Sequence, residues 1–187
     1  MSMIRTFIAL DLEDGPTKER VLEVQKEILS LGVEAKPVEP ENLHFTIKFL
    51  GEIEESRVKK VIEGVSRVKF EPIKAKLIGL GAFPSLTHIN VVWVGVDEEA
   101  GKAMTRLWED VEMELEKNGF PRERKFEPHM TIMRIKSGLR KQELAAAIKR
   151  YERTEFGEET FSKIKVKKSV LTKDGPVYYD LYAHSRL

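Results

Sequence analysis

The sequence predicts an α+β fold: two pseudo-twofold-related lobes of mainly antiparallel sheet, with outer helices and a cleft between the lobes. Three observations predict it. A His-apolar-Thr stretch occurs as His44-Phe45-Thr46-Ile47-Lys48-Phe49-Leu50-Gly51 and, eighty-five positions later, as His129-Met130-Thr131-Ile132-Met133-Arg134. Laid over one another at that offset, both halves read strand, helix, loop, His strand, helix, strand. No composition shift marks a linker in the 187 residues. A single bilobal domain is therefore expected, an internal duplication of approximately 1–88 and 89–187.

Each element follows from local chemistry. Ile4 to Leu12 reads as a strand, and Asp14-Gly15-Pro16 places a proline at a helix start, followed by Val21, Val24, Ile28 and Leu31 at helical spacing. Gly32 ends that helix, and Pro37 and Pro40 keep the connection extended. The first His strand follows. Glu54 to Val68 carries the apolar stripe Val58, Val61, Ile62 and Val65 of a helix, although Gly64 costs it about 1 kcal/mol relative to Ala. Ile73 to Leu80 is the next strand, then a turn rich in Gly79, Gly81 and Pro84, then the strand His88 to Val96.

Asp97 caps the longest helix, which runs to about Lys117 with Met104, Leu107, Trp108, Val111 and Leu115 on one side, and Asn118-Gly119 closes it. A charged loop, Phe120 to Glu127, leads to Pro128 and the second His strand. Leu139 to Tyr151 reads as a helix, Phe161 to Leu171 as a strand, Lys173-Asp174-Gly175-Pro176 as a turn, and Val177 to His184 as the last strand. Trp93 and Trp108 are expected in the core.

Charged residues make up 34% of the chain but nearly cancel, at a net +1. Bulk attraction to nucleic acid is thereby excluded, and any phosphate must be caught locally. The absence of cysteine excludes disulfides and thiolate chemistry and fits a reducing interior. No apolar run approaches the roughly 18 residues of a spanning helix, and the N-terminal one is too short for a signal peptide. A cytoplasmic, non-membrane protein is expected, with a monomer as the default state.

In a strand, residues i and i+2 share a face about 6.6 to 7 Å apart. His44 and Thr46 therefore look one way and Phe45, Ile47 and Phe49 the other, with His129 and Thr131 opposed in the same way to Met130 and Ile132. By this alternation Lys48 joins the His face, and Arg134 falls on the core side unless a bulge intervenes. Displacement at phosphorus needs a base on one side and an acid on the other, which two histidines across a twofold axis supply. The unperturbed pKa of about 6.5 lets one imidazole be neutral while the other is protonated. Each Thr hydroxyl can donate to a non-bridging phosphate oxygen. This scheme requires no metal and no cofactor.

At these residues the chain resembles the 2H phosphoesterase superfamily. His44-Phe45-Thr46-Ile47-Lys48-Phe49-Leu50-Gly51, Pro128-His129-Met130-Thr131-Ile132 with Arg134, and the opening Arg5-Thr6-Phe7-Ile8-Ala9-Leu10 are similar to the RNA 2′,3′-cyclic phosphodiesterase (2′-5′ RNA ligase) family over nearly the whole chain. The resemblance implies that His44 and His129 are catalytic and that Thr46 and Thr131 bind phosphate. It also implies that RNA ends or nucleoside 2′,3′-cyclic phosphates are opened to 2′-phosphomonoesters, with a weak reverse 2′-5′ ligation. Met133 stands where the first motif has Lys48, so the half-sites differ, and Lys48 is expected as a further phosphate contact.

Other residues carry competing readings. Arg122, Arg124 and Lys125, ahead of the second motif, are placed to hold the phosphates of a longer RNA, although a charged loop is usually only that. Tyr178 and Phe83 are candidates to stack on a base, and Arg134 to contact RNA, against the simpler role of packing. Lys163, Lys165 and Lys167 read as the solvated face of an edge strand. His88 and His184 lack a Thr partner; with the other two they could form an all-His zinc site, but no ligand spacing supports one. The functional alternative is a binding module for nucleotides or RNA ends that does no chemistry, for which two titrating imidazoles have no use.

Overall fold

The computed structural model describes residues 2–185. The chain runs β1 (Met3–Asp11), α1 (Pro16–Leu29), β2 (Ala35–Pro37), a 3-10 turn (Pro40–Asn42), β3 (His44–Glu54), α2 (Glu55–Ser66), β4 (Ile73–Ser85), β5 (His88–Val96), α3 (Glu98–Lys117), β6 (Met130–Ile135), α4 (Lys141–Arg150), β7 (Glu155–Phe161), β8 (Ile164–Thr172) and β9 (Gly175–His184). Two sheets form, one in the order β3-β1-β8-β9 and the other β2-β6-β5-β4-β7. Every strand pair is antiparallel.

The lobes do not coincide with residues 1–88 and 89–187. β4 belongs to the first half but pairs with β5 of the second, and β8 of the second half pairs with β1 of the first. This exchange interlocks the sheets. The helices cross as well: Gln25 of α1 donates to the carbonyl of Ile132 in β6, while Glu112 of α3 pairs with Lys48 of β3. One continuous hydrophobic core joins residues of both sheets and all four helices.

Local chemistry explains most boundaries. Pro16 opens α1, and the Asp97 carboxylate accepts from the Ala100 N–H at the start of α3. Gly64, unfavourable by helix propensity, is where α2 meets α3, since a Cβ there would lie 2.8 Å from Leu115. Two edge strands escaped the sequence pattern. Ala35–Pro37 adds to the second sheet as β2, and the expected strand from Phe161 to Leu171 proves to be the end of β7 and most of β8, which lie in different sheets. β7 is acidic and contains Gly157, so its propensity is poor; its burial of Phe156 and Phe161 against the core holds it in place. No helix among the described residues is long and apolar enough to cross a membrane.

Candidate active site

A cleft of about 470 Å³ opens between the two sheets. The β3-β1-β8-β9 sheet supplies one wall with Arg5, Phe7, His44, Thr46, Phe49, Ser169, Leu171 and Tyr178, and the other sheet supplies Lys36, His129, Thr131 and Arg134. Both His-x-Thr pairs therefore line one space. Each imidazole is oriented in the same way. His44 Nδ1 lies 2.6 Å from the Asn42 carbonyl oxygen, and His129 Nδ1 lies 2.7 Å from that of Glu127. A carbonyl only accepts, so each Nδ1 carries a proton and donates it. In neutral His44, Nε2 is then the lone-pair nitrogen, and it accepts from the Thr46 hydroxyl at 2.8 Å.

Burial is the main influence on His44 and lowers its pKa below the usual value of 6.5. The Asn42 carbonyl and the Asp11 carboxylate oppose this, while the charges of Lys167 and His129 add to it.

Strand bulges decide which neighbours join them. Thr46 of β3 faces Ala9 and Lys48 faces Ile8, so Ile47 is an extra residue in the ladder; on β6, Thr131 faces Trp93 and Met133 faces Val92, so Ile132 is extra. Each bulge shifts the alternation by one. As a result Lys48 and Met133 turn into the core, and Phe49 and Arg134 turn into the cleft. Lys48, expected to hold phosphate, instead donates to Glu112 at 2.7 Å and to the Pro121 carbonyl at 3.1 Å, with a side chain only 3% exposed. Phe49, expected in the core, is 47% exposed. The bulge that Arg134 required is present.

Arg122, Arg124 and Lys125 are exposed on their loop outside the cleft lining, and Arg122 reaches Glu116 at 4.0 Å. Phe83 packs edge-on against His129 at 4.8 Å between ring centres, behind it rather than in the lining. Trp93, expected in the core, is half-buried instead, beside His129 and in space that a Cβ on Gly81 would fill. Tyr178 lines the cleft, edge-on to Phe7 and His44. His184 accepts from or donates to local groups, with Nε2 bonded to the Val68 carbonyl, and neither it nor His88 lines the cleft.

Sequence reasoning missed several groups. Lys165 and Lys167 lie on the central strand β8 rather than at an edge, and they are engaged rather than solvated. Lys167 donates to Asp11 at 2.6 Å and pairs with Asp180 at 3.2 Å; Lys165 bonds Asp11 at 3.0 Å and Asp180 at 2.8 Å. Burial opposes the charges of Lys165 and Asp180, but these bonds outweigh it, raising the one pKa and lowering the other. Asp11 is the cross-strand partner of His44, so this neutral set of four charges abuts the candidate base. The regular Lys-x-Lys alternation gave no hint of acidic partners on strands remote in sequence.

Asn42 is the other omission. Its carbonyl holds His44, and its side-chain amide, nearly buried, donates to the Pro176 carbonyl at 3.0 Å, docking the β8–β9 turn that closes one end of the cleft. Asn42→Ala is expected to lower stability by about 1–3 kcal/mol, because the Pro176 carbonyl loses its donor. Thermal melting checks this; an unchanged midpoint would mean that other contacts dock the turn.

Comparison with known proteins places this geometry. Residues 6–187 match the AKAP7 2′5′ RNA ligase-like domain family. The RNA 2′,3′-cyclic phosphodiesterase of Archaeoglobus fulgidus is 40% identical over 179 residues, 95% of this chain and 98% of the relative. That of Methanothermobacter thermautotrophicus is 36% identical over 95% and 96% of the two chains. Among crystal structures, TT0787 of Thermus thermophilus superimposes with a TM-score of 0.79 at 26% identity, over 97% of each chain. The apo form of E. coli LigT gives 0.77 at 19% identity over 99% of this chain and 98% of LigT, a likeness of fold.

Proposed function

Because the chain belongs to the 2′-5′ RNA ligase-like family, whose curated relatives are RNA 2′,3′-cyclic phosphodiesterases, we propose that it opens a 2′,3′-cyclic phosphate at an RNA end to a 2′-phosphomonoester. The single observation that carries this reading is the pair of imidazoles in one cleft, each with its Nδ1 proton bound to a carbonyl and its Thr alongside.

His44 is the base. It is held neutral by burial, and its Nε2 lone pair is free to take the proton of an attacking water once the Thr46 hydroxyl turns to a phosphate oxygen. The water oxygen bonds to phosphorus, the P–O3′ bond breaks, and protonated His129 supplies the proton that the 3′-oxygen takes. Thr46 and Thr131 donate to the non-bridging oxygens, and Arg134 adds a positive charge at the same wall. With a 5′-hydroxyl in place of water the same forward displacement serves 2′-5′ ligation: O5′ bonds to phosphorus, the P–O3′ bond breaks, one histidine takes the 5′-hydroxyl proton and the other supplies a proton to the 3′-oxygen. A cytoplasmic role in RNA processing suits a chain without cysteine.

The test is turnover of a nucleoside 2′,3′-cyclic phosphate in excess chelator, with phosphorus NMR of the product. A 2′-phosphate is expected; a 3′-phosphate, or no turnover, would overturn the reading. The pH profile tests the assignment of the base. Loss of activity on the acid side reports protonation of His44, whose pKa is lowered, so kcat/KM is expected to hold down to pH 6.5 and to fall only below it. An acid limb centred above 6.5 would assign the base elsewhere.

A further inference from the structure

We propose that Asp11, Lys165, Lys167 and Asp180 are positioning residues for the base: held as one neutral set beside His44, they fix the proton affinity of its imidazole and so the pH range in which the site works. This deepens the reading above and rests on His44 being the base. The twofold repeat supplies two alike imidazoles, and displacement at phosphorus needs them in opposite protonation states. Something must tell them apart. The Nδ1 anchors do not, since each is the backbone carbonyl of the residue two positions ahead of its histidine. The surroundings do. His129 is flanked by the rings of Phe83 and Trp93, whereas His44 adjoins the four charges. At the offset of eighty-five positions Asp11 falls on Val96, so the second half repeats the histidine without its carboxylate.

Register puts the set in place. Asp11 on β1 is directly opposite His44 on β3, and opposed residues of an antiparallel pair share a face with Cα atoms about 4.5–5.5 Å apart. Lys167 lies opposite Phe7 and Asp180, and Lys165 opposite Ala9, so both ammonium groups reach Asp11 from the neighbouring strand. Each carboxylate binds both lysines within 3.2 Å. The Lys167 side chain is only 6% exposed, and its ammonium lies 5.9 Å from the centre of the Tyr178 ring, which packs edge-on to His44. Burial is the largest influence on His44 and disfavours its imidazolium; within the set the Asp11 carboxylate favours it and the Lys167 charge disfavours it, the carboxylate more strongly. Against burial, the bonds within the set hold Asp180 and Lys165 in their charged forms. Tyr178, His129 and Arg134 are the other titratable or charged groups facing His44, and Arg5, Lys36, Glu39 and Asp174 carry the remaining charges of the lining. All of these stay constant when the set is altered.

The experiment records kcat/KM for adenosine 2′,3′-cyclic phosphate against pH and follows the titration of the His44 ring protons by NMR. Asp11→Asn leaves the set net positive, so the acid limb and the His44 titration are expected to move to lower pH by about 0.5–1 unit. Lys167→Met leaves it net negative and is expected to move both upward by a similar amount. The double variant keeps Lys165 paired with Asp180, neutral again, and should return both toward wild type. Lost packing produces no such opposition and cancellation. Lys163→Met removes the same charge from an exposed position outside the set and should leave the limb in place. If Asp11→Asn folds poorly, Lys167→Met and the double variant carry the comparison. A His44 titration that stays fixed in these variants, or shifts the same way in both single ones, overturns the proposal. A wild-type acid limb that departs from the His44 titration reassigns the base, and absence of turnover overturns the cyclic phosphodiesterase reading; in either case the NMR shifts still decide whether the set governs His44.

Discussion

Alanine at His44 or at His129 is expected to cut kcat for a nucleoside 2′,3′-cyclic phosphate by about 10²–10⁴-fold, the usual worth of one positioned proton transfer. Both losses should appear in kcat rather than in KM, because the imidazoles act on protons that move only in the transition state. The double variant should lose less than the product of the two single losses, since acid and base act on the same displacement. The folding risk is small. Neither side chain is fully buried, and each is held through Nδ1 by a nearby carbonyl, with the rings of Phe7 and Tyr178 against His44 and those of Phe83 and Trp93 against His129. Steady-state rates in excess chelator provide the measurement, and full activity in either variant would end the proposal.

The second large effect lies in the core. Lys48→Met is expected to destabilise the fold by about 3–5 kcal/mol, because the Glu112 carboxylate, with a side chain 0% exposed, would be left as an unpaired buried charge. For a chain of this size that lowers the melting midpoint by roughly 6–20 °C. Replacing both partners, Lys48→Met with Glu112→Leu, removes the stranded charge and should recover most of the loss. Recovery should be incomplete, since Lys48 also binds the Pro121 carbonyl and Glu112 accepts from the Glu123 N–H at 2.8 Å.

These bonds pin the loop that leads to Glu127 and His129, so the single variant should lose activity as well. Calorimetry separates this role from phosphate binding. A Lys48 that held phosphate would raise KM in Lys48→Met while leaving the midpoint within about 2 °C of wild type, and that outcome would refute the buried pair.

Legibility differed between the two kinds of information. The repeated His-x-Thr, the strand and helix periodicities, the Asp97 cap and the Pro16 helix start are local, so the α+β class and the four helices could be read directly. Edge strands β2 and β7 could not, because they are short or acidic and form only by adding to a sheet already built. The same limit governed the site. Alternation with a period of two placed His44 with Thr46 and His129 with Thr131 on shared faces, both of which line the cleft. It then misplaced Lys48 and Phe49, which lie just beyond the first bulge.

By itself the sequence determined the fold class, the order of most elements and the two residue pairs around which the chemistry is built, because each depends on neighbours within a few positions. Only the tertiary structure decided that β4 and β8 change places between the halves, that Lys48 is buried and Phe49 exposed, and that Asp11, Lys165, Lys167 and Asp180 gather beside His44. The physical reason is register. An extra residue in a ladder exists only relative to the partner strand, and one such residue turns every following side chain to the opposite face.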